Sequence, residues 1–101
     1  MDAVDPSGAD IERLAADWLA AERHATADPT PLKAEAAREA SARFEEAIRR
    51  ATREELRLSW EAAKRAQAEC LMGSREWAEA RSVSELLRME YMAASEAEGE
   101  A

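Results

Sequence analysis

The sequence has little of what builds turns and sheets, with three glycines, three prolines, two valines and two isoleucines among 101 residues. A many-stranded β fold needs frequent turns and β-branched strands, so these shortages exclude one. The one cysteine, Cys70, excludes an intrachain disulfide. There is no apolar run near the roughly 18 residues of a membrane span, and no apolar segment typical of a secretory signal near the N-terminus. We therefore expect a protein of the reducing cytoplasm.

Large apolar side chains are also scarce. Of the 47% of residues that are apolar, 25 are alanines, and only 20 larger apolar side chains remain once Met1 and Val4 near the N-terminus are set aside. Alanine buries little surface, so the chain can build only a modest core alone. Self-association would supply further burial, and we expect a homo-oligomer, most simply a dimer.

Negative charge dominates, with 22 acidic against 14 basic side chains and a net charge of -8. This balance argues against nucleic acid as a partner. The basic side chains concentrate in residues 31–72, where Arg49, Arg53 and Arg57 recur at every fourth position. We interpret them as a solvated stripe facing acidic helices, with a partner or anion contact as the alternative.

Helical periodicity is clear in three segments. Ile11, Leu14, Trp18, Ala21 and Ala25 share one face and predict a first helix over 9–26. Pro29 and Pro31 end it, and Thr30 before Pro31 is a typical N-cap for the next helix. No glycine or proline then occurs until Gly73, which predicts one long middle helix, or two helices with a bend near Thr52. Gly73 and Ser74 separate it from a last helix that carries Trp77, Leu87 and Tyr91 on one face.

These elements predict an all-α fold of three helices, short, long and medium, in an antiparallel bundle. The bundle is elongated and completed by dimerisation if the middle helix is straight, and compact if it bends. We expect one helical domain over 9–95. Flexible tails are expected at 1–8 and, with acidic character, at 96–101.

Catalytic and metal-binding patterns are absent from the sequence. His24 and Cys70 are the only residues of their types and form no ligand or nucleophile motif. No glycine-rich phosphate loop occurs. We therefore expect no enzyme, no cofactor and no metal. A ligand- or metal-binding bundle with a polar cavity near His24 or Cys70 is kept as an alternative.

The remaining candidates for contacts with a partner are apolar. Trp18 and Trp77 lie on regular stripes and are predicted in a core or dimer seam, whereas Trp60 lies off the stripe of its helix. Trp60 is therefore a candidate partner contact. Met89 and Met92 add adaptable apolar surface.

One short segment has a family resemblance. Ala80-Arg81-Ser82-Val83-Ser84-Glu85-Leu86-Leu87-Arg88-Met89 resembles a segment of phasins, helical proteins that coat polyhydroxyalkanoate granules. The resemblance implies an amphipathic protein that coats a surface. The leading hypothesis from the residues is a small acidic helical protein that acts through protein–protein association, as an adaptor, inhibitor or regulatory subunit.

Overall fold

The chain is all-helical over residues 8–99, the part that the computed structural model describes. Its four helices are α1 (Gly8–Ala27), α2 (Pro31–Arg50), α3 (Arg53–Glu69) and α4 (Arg75–Gly99). Within those residues there is no strand. Most of the predicted N-terminal tail lies outside the described residues, and α4 continues into the predicted C-terminal tail as far as Gly99.

Of the two alternatives for the middle segment, one long helix or two helices, the structure has two, so the count of three is wrong. The break lies at residues 51–52, where a bend was expected. Thr52 is the N-cap of α3 and forms a capping box with Glu55. The Glu55 amide donates to Thr52 Oγ1 at 3.1 Å, and the Thr52 amide donates to Glu55 Oε1 at 2.8 Å. These two bonds satisfy amides that a helix start leaves unpaired, so a new helix begins here.

Replacing Thr52 with alanine is expected to lower the free energy of unfolding by about 1 kcal/mol, because an amide at the α3 N-terminus loses its acceptor. Urea unfolding followed by circular dichroism measures the loss. Thr26→Ala is the matched control, since Thr26 is exposed inside α1. Equal unfolding midpoints for the two variants would contradict a stabilising capping box.

The other helix boundaries follow the predicted signals. The Lys33 amide donates to Thr30 Oγ1 at 3.2 Å, so Thr30 caps α2 as expected. The Trp77 amide donates to Ser74 Oγ at 3.1 Å, which confirms Ser74 as the cap of α4. Gly73 has a φ of 88°, a conformation that side chains disfavour and that explains glycine at this turn.

The helices pack in two pairs. α1 packs against α2, and α3 packs against α4. The chain accordingly divides into a first unit up to Arg50 and a second unit from Ala51. Each unit is a helical hairpin, where the sequence predicted one helical domain.

The first unit is built around Phe44, which is completely buried. Trp18 of α1 stacks on Phe44 of α2 with ring centroids 5.5 Å apart. Trp18 itself is half-buried, and its indole N–H donates to Glu22 Oε2 at 3.1 Å. The buried apolar residues of this unit are Ile11, Ala15, Ala37, Ala40, Phe44 and Ile48. The predicted placement of Ile11 and Trp18 on the packed face is therefore confirmed.

The buried side chains described in the second unit include no aromatic residue; they are Leu56, Ser59, Val83, Ser84 and Leu87. Trp60 of α3 and Tyr91 of α4 lie side by side, with ring centroids 5.6 Å apart. Each unit thus joins its two helices through a tryptophan on the first helix and another aromatic residue on the second. The run Leu-x-x-x-Trp-x-Ala-Ala-x-Arg occurs in both units, at residues 14–23 and at residues 56–65.

Ser59 is the least favourable part of this second core. Its side chain is 1% exposed, and its hydroxyl has no hydrogen-bond partner among the described residues. Replacing Ser59 with alanine is expected to raise the free energy of unfolding by about 1 kcal/mol, because the unpaired hydroxyl is removed. Thermal unfolding measures the gain.

Ser82→Ala is the matched control for Ser59→Ala. Ser82 is exposed on α4, so its replacement reports the difference in helix propensity together with the loss of one exposed hydrogen bond, from its hydroxyl to the Ala78 carbonyl at 3.1 Å. A Ser59→Ala protein no more stable than the Ser82→Ala protein would show that the Ser59 hydroxyl is satisfied.

Candidate partner-binding surface

The predicted contact residues are spread over three helices. Arg49 lies on α2 in the first unit, whereas the other five, Arg53, Arg57, Trp60, Met89 and Met92, lie in the second unit. The helix break at residues 51–52 interrupts the periodicity that linked Arg49 to Arg53. The predicted arginine stripe therefore does not run along one helix.

Arg57 is engaged by acidic side chains of its own helix. Its guanidinium lies 2.6 Å from Glu54 and 3.1 Å from Glu61. The hydrogen bond from Arg57 lowers the pKa of Glu54, and the hydrogen bond to Glu54 raises the pKa of Arg57. An anionic ligand would have to displace these carboxylates, which favours the interpretation of Arg57 as part of a solvated face.

Arg49 is paired in the same way at the end of α2. Arg49 and Arg50 both contact Glu46, at 3.1 and 2.7 Å. The hydrogen bond from Arg49, aided by the charge of Arg50, lowers the pKa of Glu46. Since exposed pairs of this kind contribute roughly 0–1 kcal/mol, their main effect is to neutralise the arginine charges locally.

Trp60 is half-buried and contacts side chains of its own unit. One neighbour is Tyr91, and the other is Lys64, whose ammonium nitrogen lies 4.2 Å from the centroid of the Trp60 ring. The ring thus joins α3 to α4 and holds a cation. Because these contacts cover part of the ring, less of the Trp60 surface is accessible to a partner than its position off the stripe suggested.

Exposed apolar surface concentrates in the second unit. Among residues 8–99, the large exposed apolar side chains are Leu32, Leu58, Leu71, Met72, Met89 and Met92, and only Leu32 of these belongs to the first unit. Leu71 and Met72 lie between α3 and α4 and are 81% and 79% exposed. Leu58 and Leu71 were not among the predicted contact residues. An apolar stripe in the sequence does not show which apolar side chains a neighbouring helix leaves exposed.

α4 carries apolar side chains on two sides. Leu87 is 1% exposed, whereas Met89, two residues later and therefore on nearly the opposite side of the helix, is 61% exposed. The α4 outer face, as we name it, consists of Leu86, Met89, Met92 and Ala93. Leu86 is half-buried and the other three are exposed.

Charged side chains border the α4 outer face along the edge beside Met92 and at its C-terminal end. Arg88 lies 3.9 Å from Glu85. Arg81 lies over the Trp77 ring, with its guanidinium carbon 5.6 Å from the ring centroid. Glu96, near the end of α4, is exposed. An apolar strip with charges of both signs at its edge is suited to contact with another helix.

His24 and Cys70 belong to different units of the chain. His24 is exposed in the last turn of α1, as predicted, and belongs to the first unit. Cys70 belongs to the second unit and is half-buried, and its thiol donates to the Ala66 carbonyl at 3.2 Å. Across residues 8–99 no cluster of three or more His, Cys, Asp or Glu side chains is arranged to hold a metal ion.

Over the same part of the chain, no helix has both the length and the apolar character needed to cross a membrane. No protein-family model, curated protein or solved structure matches the chain.

Proposed function

We propose that this chain is a non-catalytic, cytoplasmic association protein, an adaptor, inhibitor or regulatory subunit that binds a protein partner through its second unit. The observation that carries the proposal is the concentration of exposed leucine and methionine side chains in that unit. Contiguous exposed apolar surface marks interaction sites in soluble proteins. Methionine suits such a site because its flexible thioether adapts to the surface it meets.

A partner bound to the second unit would cover large apolar side chains that are exposed in the single chain. Met89 and Met92 are 61% and 47% exposed, and Leu71 is 81% exposed. Fully burying one side chain of this size is worth about 1.5–3 kcal/mol, so covering several of them yields a useful binding free energy. A pair of helices has only one internal interface, and added helices from a partner would complete an antiparallel bundle.

The ionisable groups with shifted pKa values support a role without catalysis. Glu46, Glu54 and Arg57 owe their shifts to ion pairs along exposed helix surfaces. Shifted groups in a catalytic site gather instead in a cleft with convergent partners. The local neutralisation of Arg49 and Arg57 by glutamates, together with the net charge of -8, also argues against nucleic acid as the partner.

Quantitative capture from a cell extract tests the proposal. The bait is the wild-type chain, the Met89→Glu/Met92→Glu variant, or the control Leu32→Glu, which alters an exposed leucine of the first unit. We expect a protein retained by the wild type and the control but lost with the double variant. Equal retention by all three baits would contradict the placement of the site.

The phasin-like alternative is distinguished by a second arm of the same experiment. The three proteins are incubated with phospholipid vesicles and with hydrophobic polymer beads. Binding to either surface that is lost only in the Met89→Glu/Met92→Glu variant, without capture of a protein, would replace association with surface coating.

A further inference from the structure

We propose that the α4 outer face binds the α4 outer face of a second copy of this chain, antiparallel, with the two-fold axis passing close to Met89. The inference rests on the proposed function, since it assigns the partner of the same apolar surface. It is carried by the arrangement of apolar and charged side chains along α4, which is complementary to itself when one copy is reversed.

The apolar side chains match across such an axis. Met89 is 61% exposed and would meet Met89 of the second copy. Leu86 lies three residues before Met89 and Ala93 four residues after it. Leu86 and Ala93 are seven residues apart, about two helical turns, so they occupy the same edge of the face. Reversing one helix therefore places Leu86 of each copy against Ala93 of the other.

The charged side chains along α4 favour an antiparallel pair of α4 helices over a parallel pair. Arg81 lies eight residues before Met89 and Glu96 seven residues after it. At 1.5 Å per residue these are about 12 Å and 10 Å from the axis; Arg81 lies on the edge opposite to Leu86, and Glu96 continues the line of Met89 towards the end of the face. An antiparallel pair places Arg81 of each copy opposite Glu96 of the other, which gives two ion pairs. A parallel pair would place Arg81 at the height of Arg81 and Glu96 at the height of Glu96, so no arginine would lie opposite a glutamate.

The contact is compatible with the packing of α4 inside its own unit. Val83, Ser84 and Leu87 are buried on the opposite side of the helix. Pairing through Met89 therefore covers exposed surface and leaves the α3–α4 core unchanged. Each α4 then has apolar neighbours on both sides, as expected for a helix whose apolar residues are not confined to one stripe.

Sedimentation equilibrium over a series of micromolar concentrations tests the pairing. We expect the wild type to approach twice its chain mass of 11.2 kDa and to dissociate on dilution. Met89→Glu places two carboxylates at the axis, and we expect a dissociation constant at least tenfold higher. Leu32→Glu, on α2, should leave the wild-type constant unchanged.

A charge exchange tests the direction of the helices. Arg81→Glu alone and Glu96→Arg alone should each raise the dissociation constant several-fold, because like charges then face each other twice. The double variant Arg81→Glu/Glu96→Arg should return to within about twofold of the wild type. Circular dichroism of each variant verifies that its helices are intact.

The results separate this inference from the proposed function. A wild type that stays at 11.2 kDa at every concentration overturns the inference, and so does a double variant weaker than both single variants. If such a monomeric chain still captures another protein through Met89 and Met92, the proposed function stands. A dimer that responds to the charge exchange as described but captures no other protein supports the inference and overturns the adaptor role.

Discussion

Replacing Phe44 with alanine is expected to lower the free energy of unfolding by about 3–5 kcal/mol. Phe44 is completely buried, and Trp18 stacks on it at 5.5 Å, so the change opens a cavity and removes an aromatic contact together. Domains of this length have a total stability of about 5–15 kcal/mol, so the loss is a large share of it. Urea unfolding followed by circular dichroism measures the change.

Two further variants make the Phe44 result interpretable. Phe44→Leu keeps most of the apolar volume and should lose less stability, which gives a graded value if the alanine variant does not fold. Leu32→Ala removes a leucine that is 80% exposed on the same helix and should change stability by no more than about 0.5 kcal/mol. Similar losses for Phe44→Ala and Leu32→Ala would contradict a first unit built around Phe44.

The sequence predicted which face of a helix is packed better than how deeply each side chain is buried. It predicted Trp18 in a core or a dimer seam, yet Trp18 is half-buried whereas Phe44 is completely buried. The apolar periodicity determines a direction around the helix axis. Depth depends on where the partner helix crosses, which requires the tertiary contacts.

Prolines, glycine and capping residues predicted two of the breaks between the helices. The turn at Pro29 and Pro31 and the turn at Gly73 both lie where expected. The break at Thr52 was left open between one long helix and two helices with a bend. Thr52 and Glu55 have the spacing of a capping box followed by an apolar residue, and this motif favours two helices and hence four in all.

The candidate surface was less accessible to the sequence than the pairing of the helices. The short connections at Pro31 and Gly73 predict that the first helix packs on the first half of the middle segment and the last helix on its second half, which are the observed α1–α2 and α3–α4 pairs, although one domain was expected. Met89 and Met92 were proposed from residue type, and their exposure is visible only when α3 is seen to cover the other side of α4. The shared tryptophan runs at residues 14–23 and 56–65 were the one sequence signal of two similar hairpins.

A second large effect on the free energy of unfolding is expected at Leu87, in contrast to Met89 on the same helix. Leu87→Ala is expected to lower the free energy of unfolding by about 2–5 kcal/mol, because Leu87 is 1% exposed and packs in the α3–α4 core. Met89→Ala, two residues away on the same helix, removes a side chain that is 61% exposed. At a concentration below that of self-association, its effect on unfolding should stay within about 0.5 kcal/mol.

Concentration dependence completes this prediction, because the dimer that we propose would bury Met89 only in the folded state. The unfolding midpoint of the wild type should rise with protein concentration, as expected when association is confined to the native state. Met89→Ala should reduce that rise while leaving the dilute-limit midpoint unchanged. Leu87→Ala should lower the midpoint at every concentration. A Met89→Ala protein as unstable at high dilution as the Leu87→Ala protein would place Met89 inside the fold of a single chain.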